Sequence, residues 1–243
     1  TVKGNTAVSA GGGAYIRYTD VGSIVNCTFE NNSASNGGGM YVKDGTGNLL
    51  FTNIVVQNNS ATSSGGGVFD KGTTIIVDSS SFTSNTAQKG GGWFSYSYGD
   101  ATLTNTTFVA NSVSLEGGAA NIRSNSDVTF VQCTFDTNIA DDDCDGFGGS
   151  GAIEISPNSS VTLDNPTICI NLVCDIIEAF SSVTQPVIIG DIEGCSSGIG
   201  ACCGGTGCWE MDYTSCLDGG GIFAGEDTIC EMVECLGMEA GGC

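Results

Sequence analysis

A period of 26 to 27 residues runs through the first two thirds of the chain and constrains its fold more than any other feature. In each repeat an apolar residue stands three positions before an asparagine, which gives the pairs Val2/Asn5, Phe29/Asn32, Val56/Asn59, Phe82/Asn85, Phe108/Asn111 and Phe135/Asn138. Glycine runs recur at a similar interval and begin at Gly11, Gly37, Gly65, Gly90, Gly117 and Gly148. Such self-similarity is typical of solenoids, in which each unit buries its apolar face only against its neighbours.

The local pattern within each repeat favours strands over helices. Apolar residues alternate with polar ones, as in Leu49/Phe51 and Ile75/Val77, and nothing recurs at the helical period of 3.6. We predict three strands per coil: one after the glycines, one that holds Leu49/Phe51 or its equivalents, and one that precedes the asparagine. The inward parity shifts by one between the second and third strands, which predicts a bend at Asn26, Asn53, Ser79, Asn105 and Gln132.

The repeated asparagines predict an internal ladder of side-chain amides. Stacked coils place equivalent residues above one another at the spacing of neighbouring strands, roughly 4.8 Å. Asparagine suits such a column because its side chain both donates and accepts hydrogen bonds. The predicted rungs are Asn5, Asn32, Asn59, Asn85, Asn111 and Asn138. We interpret the glycine runs as turns with positive φ or as close backbone approaches, because no helix follows them to form a phosphate site.

These repeats resemble the GGA-I and FxxN repeats of polymorphic outer-membrane proteins. The matching segments lie within roughly residues 1 to 170 and include Gly11-Gly12-Gly13-Ala14-Tyr15-Ile16, Phe29-Glu30-Asn31-Asn32, Phe82-Thr83-Ser84-Asn85 and Phe108-Val109-Ala110-Asn111. The resemblance implies a right-handed parallel β-helix, here an all-β chain of about six coils. It also implies a surface role, because members of that family act as adhesins.

The alignment of the first repeat predicts an open edge. Val2 and Asn5 align with the third strand of a coil whose first two strands are not in the sequence. An open solenoid edge exposes unpaired backbone, which proteins normally cover. Either further coils precede Thr1 in a longer polypeptide, or another copy stacks there head to tail.

Two columns on the outer face of the first strand form a candidate ligand-binding stripe. One column holds Tyr15, Tyr41, Phe69, Phe94 and Asn121, and the next holds Arg17, Lys43, Lys71, Tyr96 and Arg123. Aromatic and basic side chains in this arrangement suit acidic glycans. The alternative is that the rings only stack on one another while the cations offset the acidic part of the chain.

An acidic insert interrupts the period after Asn138. Asp141, Asp143 and Asp145, followed by Gly146, match the start of a calcium-binding loop, in which alternate carboxylates converge on a hard cation. The position that would hold the closing Glu is Ala152, and Glu154 lies two residues later. The alternative is a solvated acidic loop. We predict that the protein requires no cofactor, and calcium is the candidate metal.

Parallel β-helices also occur in polysaccharide lyases and glycosidases, so catalysis is a rival hypothesis. Such enzymes need a basic residue beside metal-binding carboxylates, or two facing carboxyl groups. Asp70 beside Lys71 is the nearest candidate, and the chain has no histidine. We therefore predict that the protein is not an enzyme.

Charge is divided unevenly along the chain. All six basic residues lie in the first 123 positions, whereas residues 124 to 243 hold 20 of the 27 acids and no Lys or Arg. This distribution argues against binding to nucleic acid or anionic membranes. No apolar run reaches the roughly 18 to 20 residues that a membrane-spanning helix needs.

Cysteines are concentrated in the second half, which favours an oxidising compartment. We divide the chain into a β-helix over residues 1–193, closed by segment 171–193, and a disulfide-rich module over residues 194–243. The module contains Gly200-Ala201-Cys202-Cys203 and resembles the small GACC-type cysteine repeats of bacterial surface proteins. The disulfide candidates are Cys144, Cys169, Cys174, Cys195, Cys202, Cys203, Cys208, Cys216, Cys230 and Cys235.

Three further cysteines have different predicted roles. Cys27 and Cys133 share an inward column about four coils apart, or roughly 19 Å, too far to bond each other, and are predicted to be buried thiols. Cys243 is the candidate for a bond to another chain.

The sequence therefore predicts an extracellular or cell-surface structural protein that forms a filament or stalk by head-to-tail association. The alternatives are a glycan- or cell-binding adhesin and a polysaccharide lyase or glycosidase. N-linked glycans have candidate sites at five Asn-X-Ser/Thr sequons, namely Asn26, Asn31, Asn58, Asn105 and Asn158. O-linked glycans are a further candidate modification.

Overall fold

The computed structural model of the chain shows four parallel β-sheets wound into a solenoid. It describes residues 1–18, 21–140, 149–168, 171–173, 176–177, 187–189, 199–204, 207–212 and 222–226. Two compact units are distinguished, Thr1–Ile192 and Glu193–Cys243. All the elements in the described ranges are strands.

Each coil of the first unit contributes one strand to each sheet, and the sheets are numbered here in the order that a coil visits them. Sheet 1 contains Ala14–Arg17, Met40–Lys43, Val68–Lys71, Trp93–Tyr96, Ala120–Arg123 and Ile153–Ile155. Sheet 2 contains Gly22–Val25, Asn48–Thr52, Thr74–Asp78, Asp100–Thr104, Asp127–Val131, Ser160–Asp164 and Val187–Ile189.

The coil then passes through sheets 3 and 4. Sheet 3 contains Val2–Lys3, Thr28–Glu30, Val55–Gln57, Ser81–Thr83, Thr107–Val109, Thr134–Asp136 and Thr167–Ile168. Sheet 4 contains Ser33–Asn36, Ser60–Ser64, Thr86–Lys89, Ser112–Glu116, Ile139–Ala140, Leu172–Val173 and Ile176–Ile177. Every pairing in these sheets is parallel except the last pair of sheet 4, Leu172–Val173 with Ile176–Ile177.

The prediction of three strands per coil was wrong, because the segment after each ladder asparagine forms a fourth. The missed strands begin with Ser33, Ser60 and Thr86 and are rich in small polar residues. Their inward positions hold small side chains such as Ala34 and Ala61, so the apolar alternation that marks a strand is faint there. The all-β solenoid itself was predicted correctly.

The bend between the second and third strands is confirmed. Asn26, Asn53, Ser79, Asn105 and Gln132 all have positive φ, between 50° and 53°. One residue in the left-handed region turns the chain and shifts the inward parity by one, as the sequence pattern indicated. Asparagine is common here because its side chain tolerates this conformation better than most.

The core consists of stacked apolar columns inside the coils. Phe82 and Phe108 stack with ring centroids 4.8 Å apart, and Phe108 and Phe135 continue the column at 5.2 Å. All three rings are fully buried. Because equivalent residues pair in register between coils, each ring packs against its counterparts above and below instead of a distant part of the chain.

The asparagines also form a continuous column, from Asn5 to Asn171. In each step the backbone N–H and the side-chain Nδ2 of one asparagine donate to Oδ1 of the next; for Asn59 and Asn85 both distances are 3.0 Å. The second Nδ2 hydrogen donates to a carbonyl of the preceding coil, as from Asn85 to Val56 at 2.8 Å. The column includes Asn171, which the interrupted period concealed.

The glycine runs mark a turn where neighbouring coils approach closely. In the runs that begin at Gly11, Gly37, Gly65, Gly90 and Gly117, the first glycine has positive φ, as in Gly37 at 62° and Gly90 at 61°. A Cβ on the second glycine would meet the next coil, and at Gly91 it would lie 2.4 Å from the carbonyl oxygen of Gly118. The interpretation of these glycines as turns and close approaches is therefore confirmed.

The second unit has a small antiparallel sheet in which Ile199–Gly204 pairs with both Gly207–Asp212 and Ile222–Glu226. Within the described residues, no helix is long and apolar enough to span a membrane.

Candidate functional site

Five of the six tyrosines and four of the six basic residues lie on one side of the solenoid. They occupy the outer positions of sheet 1 and the turn that follows it. We call this surface the tyrosine-rich face; its members are Tyr15, Arg17, Tyr18, Tyr41, Lys43, Phe69, Lys71, Phe94, Tyr96, Tyr98 and Arg123. Tyrosine and arginine are enriched at recognition surfaces because each combines a large contact area with hydrogen-bonding groups.

The aromatic column of this face is stacked from coil to coil. Tyr15 and Tyr41 have ring centroids 5.3 Å apart, and Tyr41 and Phe69 follow at 4.8 Å. Tyr96 packs against Phe69 and Phe94, with centroid distances of 6.4 and 6.3 Å. As a result Phe69 and Phe94 are buried while Tyr15 remains 49% exposed. Only part of the column is therefore accessible to a ligand.

The basic column is partly neutralised at its upstream end. Asp44 lies 3.4 Å from Arg17 Nε and 3.2 Å from Lys43 Nζ, and the hydrogen bond from Lys43 holds the pKa of Asp44 below its usual value. Lys71 has no carboxylate within ion-pair distance in the part of the chain that the structure describes, and its Nζ lies 5.8 Å from the centre of the Tyr96 ring. The face therefore carries a net positive charge.

Arg123, the last cation of the column, belongs to a charged cluster that the sequence analysis missed. Glu116 Oε2 lies 3.0 Å from Arg123 Nη2 and 2.9 Å from Lys89 Nζ. Asn121 Nδ2 donates to the backbone carbonyl of Glu116 at 3.3 Å. On its other side Arg123 Nε donates to Ser156 Oγ at 2.7 Å. These contacts hold the guanidinium in one orientation from two sides.

Burial is the largest single influence on the pKa of Glu116 and raises it. The hydrogen bond from Lys89 and the charges of Arg123 and Lys89 act together in the opposite direction and leave the pKa below its usual value. Glu116 is therefore ionised at neutral pH and does not suit the role of a general acid. Its function in this cluster is to position and partly neutralise the two cations.

A cleft of about 490 Å³ opens beside Arg123 at the end of the tyrosine-rich face. Its walls are formed by the turns that follow the sheet 1 strands of three successive coils. We call it the Arg123 cleft, and it is lined by Tyr96, Arg123, Ser124, Asn125, Ser156, Pro157 and Asn158. The lining combines one cation, one aromatic ring and several neutral hydrogen-bonding groups, a combination suited to a polar ligand.

Asp70 and Lys71 do not form a pair, because they point to opposite sides of their strand. Asp70 is fully buried, and neither of its carboxylate oxygens has a hydrogen-bond partner among the described residues. Burial, reinforced by Asp100, raises the pKa of Asp70 well above its usual value. The N–H and hydroxyl groups of Thr73 lower the pKa of Asp70, but they lie outside hydrogen-bonding geometry. Their effect is smaller than that of burial. A fully buried carboxyl group without access to ligands does not suit the role of a catalytic base.

The cluster around Glu116 left a signal in the sequence. Lys89 and Glu116 both stand directly before a glycine run, and their backbones pair in register. Aligning the residue before each glycine run would have placed them side by side at the end of sheet 4. The repeat pattern does not show that sheet 4 ends beside the outer face of sheet 1. The contact with Arg123 could therefore not be predicted from it.

All five sequon asparagines are exposed at turns and have positive φ, between 50° and 65°: Asn26, Asn31, Asn58, Asn105 and Asn158. In three of them the side-chain amide already contacts a neighbour: Asn31 Nδ2 donates to Glu30, Asn105 Nδ2 donates to Asp78, and Asn26 Oδ1 accepts from Asn53 Nδ2. The structure thus places the sequons where an attached glycan would extend into solvent.

The two inward cysteines differ in exposure. Cys133 is fully buried, and burial raises the pKa of its thiol to about 12. The prediction that Cys27 is also buried was wrong: it is only half-buried, because it lies in the first complete coil, where less of the chain covers it. Both are free thiols.

Several predicted sites lie outside the described residues. These are the calcium candidates Asp141, Asp143 and Asp145 and the cysteines Cys144, Cys169, Cys174, Cys195, Cys216, Cys230, Cys235 and Cys243. The strands that contain Cys202, Cys203 and Cys208 lie within the described residues, but the side chains of these three cysteines do not. Within the described ranges, no group of three metal-binding side chains converges.

The geometry defines a class of protein: a parallel β-solenoid that carries an aromatic and cationic face and a polar cleft on its outside. The family described as right handed beta helix region matches residues 1–168, and the chain belongs to this family. Its domains occur in surface proteins and in polysaccharide-active enzymes, so membership alone does not decide between binding and catalysis. Neither the curated proteins nor the solved structures include a significant match.

Proposed function

We propose that this chain is an extracellular or cell-surface structural protein that forms a rigid unit of a filament or stalk. The observation that carries the proposal is the asparagine column, in which seven side chains from Asn5 to Asn171 bond each coil to the next. Because each coil contacts only its neighbours, this column and the stacked core resist bending and separation along the solenoid axis.

Head-to-tail association with a second copy is part of this proposal. Asn5 Oδ1 accepts no hydrogen bond among the described residues, whereas Asn32 Oδ1 accepts two, from the N–H and Nδ2 of Asn5. Val8 and Val21, which lie in the same part of the solenoid, are 98% and 81% exposed. A further coil placed against this edge would continue the column and cover both valines, and a second copy offers coils of matching geometry.

Sedimentation velocity over a range of concentrations, with negative-stain imaging of the same samples, tests the association. We expect concentration-dependent oligomers and rods for the unmodified chain and a shift to monomers for Val8→Asp. Leu50→Asp is the matched control, because Leu50 is 40% exposed on Asn48–Thr52, a strand of sheet 2 that is paired on both sides. A strictly monomeric chain at all concentrations would refute self-association, and equal effects of the two substitutions would refute the proposed edge.

The tyrosine-rich face supports a second function, the binding of glycans or cell-surface ligands. Its rings and cations repeat at the coil spacing of roughly 4.8 Å, so five rungs extend over about 19 Å along the axis. An elongated ligand that lies along the solenoid would meet aromatic rings on four of these coils and a cation on four of them. Glycan-array binding that is lost in Tyr41→Ala, with an unchanged melting temperature, would support this function.

Glycosylation is proposed at the exposed sequons. Intact-mass measurement of the protein from its natural source would detect added hexose and N-acetylhexosamine units. An unmodified mass would refute this proposal and leave the structural role untouched.

A further inference from the structure

We propose that the Arg123 cleft binds the carboxylate-bearing sugar unit of an acidic polysaccharide. This inference rests on the second function proposed above and deepens it, because it assigns a specific subsite and a ligand class to the end of the tyrosine-rich face. It concerns binding only and includes no chemical step.

Arg123 is prepared for an anion before any ligand arrives. A guanidinium has five N–H donors, and two of those of Arg123 are engaged, by Ser156 Oγ and by Glu116 Oε2. Three donors therefore remain, on a group whose orientation is already fixed. A planar guanidinium matches the two oxygens of a carboxylate, and its fixed position lowers the entropy lost on binding.

The acids of the cluster favour a singly charged ligand. Glu116 contacts both Lys89 and Arg123, and Glu154 lies beside Glu116, because a Cβ on Gly149 would come within 2.9 Å of Glu154 Oε2 and 3.1 Å of Glu116 Cγ. The two cations are therefore balanced by two carboxylates, and a ligand gains from the unused donors of Arg123 more than from excess charge. A phosphate monoester, with a charge of roughly −2, would place more negative charge beside these acids than one carboxylate would.

The remaining walls suit a sugar ring. Tyr96 is 39% exposed and lines the cleft, where its ring would pack against the apolar side of a pyranose. The amide of Asn125 and the hydroxyl of Ser124 supply donors and acceptors for sugar hydroxyls. A volume of about 490 Å³ lies within the range of small-ligand sites.

A polymer is favoured over a single sugar because the cations continue beyond the cleft. Tyr96 pairs in register with Lys71, which pairs with Lys43, which pairs with Arg17. A chain of acidic sugars that begins at Arg123 and follows the axis would meet further cations on successive coils. Several weak contacts of this kind add through multivalency.

Microscale thermophoresis with alginate oligosaccharides, which are composed of uronic acids, tests the inference on the full chain at low salt. We expect Arg123→Gln to weaken binding roughly 10- to 100-fold, since it removes a charge-assisted bidentate contact. Arg123→Lys should restore part of the affinity, because it keeps the charge without the planar donors. Asn125→Ala, which leaves the Glu116 cluster intact, should weaken binding several-fold, and circular dichroism would verify that each variant is folded.

The other ligands in the same experiment separate the alternatives. Neutral dextran should bind weakly to the unmodified chain and to Arg123→Gln alike. Equal dependence on Arg123 for dextran sulfate, which has no carboxylate, or for polyglutamate, which has no sugar, would overturn the assignment to a carboxylated sugar. Alginate binding that is lost in Tyr41→Ala and unchanged in both Arg123→Gln and Asn125→Ala would overturn the cleft while leaving the binding function of the face intact. An absence of alginate binding would overturn the inference, and glycan-array binding dependent on Tyr41 would then show that the wider function survives.

Discussion

Replacement of Asn85, in the middle of the asparagine column, is the most direct test of what holds the coils together. Asn85→Ala removes the acceptor of the Asn59 backbone N–H and of one Asn59 Nδ2 hydrogen. It also removes the donor to the Val56 carbonyl. Asn111 Oδ1 retains a partner, because the backbone N–H of residue 85 still donates to it. The Val56 carbonyl keeps its place in the sheet ladder, because Val55–Gln57 pairs in register with Ser81–Thr83. Two buried N–H groups of Asn59 are therefore left without a partner.

Each such group costs about 1–3 kcal/mol, which gives a range of about 2–6 kcal/mol. Entry of water into the vacated space would reduce the loss, so we expect a decrease of about 3 kcal/mol in the free energy of unfolding. Urea denaturation followed by the fluorescence of the buried Trp93 measures it, in a Trp209→Phe background that leaves one tryptophan.

The matched control is Asn48→Ala, at an exposed strand position in sheet 2, for which we expect a change within about 0.5 kcal/mol. Asn85→Asp adds a second check. It keeps the two acceptors and loses the two donors, so it should be destabilising at neutral pH and less so in acid, where a protonated carboxyl regains one donor. If Asn85→Ala costs no more than Asn48→Ala, the column does not stabilise the solenoid and the argument fails.

Three further predictions concern single buried positions. Asp70→Asn should raise the melting temperature at pH 7, because burial raises the pKa of Asp70 in the folded protein. Each unit of that shift costs about 1.4 kcal/mol of stability once the pH exceeds the pKa of the unfolded chain. The difference between the two proteins should vanish below about pH 3, where Asp70 is protonated in both the folded and the unfolded state. Gly91→Ala should lower the free energy of unfolding in urea by more than about 3 kcal/mol, because its Cβ would lie 2.4 Å from a backbone oxygen. Gly72→Ala, whose nearest contact is at 3.3 Å, should lower it by only about 1 kcal/mol through left-handed strain. Similar losses in the two variants would contradict the close-approach argument. Iodoacetamide at pH 8 followed by peptide mass spectrometry should label half-buried Cys27 much faster than Cys133, whose thiol pKa is about 12, and equal labelling would show that the core opens readily.

The fold could be predicted from the sequence because the same physical requirement recurs in every coil. A large apolar residue and an asparagine three positions later must face inward at each turn, and Phe82/Asn85 and Phe108/Asn111 repeat that pair with little variation. The fourth strand escaped detection because close packing at its inward position requires a small residue such as Ala34 or Ala61. Small residues carry no strong strand signal.

The candidate site could be predicted only in part, for a reason of geometry. Alignment of repeats places residues of one strand position in a column, and it correctly paired Tyr41 with Phe69 and Tyr96 with Arg123. The contact between Glu116 and Arg123 instead joins the end of sheet 4 in one coil to the outer face of sheet 1 in the next. Its position depends on how sharply the chain turns at Gly117, which has φ of 71° and which the repeat alone does not specify.

Rigidity and recognition are linked in this solenoid because they use alternate residues of the same strands. In Met40–Lys43, Met40 and Val42 face the core, whereas Tyr41 and Lys43 contribute to the tyrosine-rich face. The inward side chains fix the register between coils, and that register sets the spacing of the outward rings and cations. A polymer that contacts several coils gains from this order, because the protein side chains it meets are already aligned. Loosening the asparagine column with Asn85→Ala should therefore weaken binding of a long acidic chain more than binding of a single uronic acid in the Arg123 cleft, although Asn85 contacts neither.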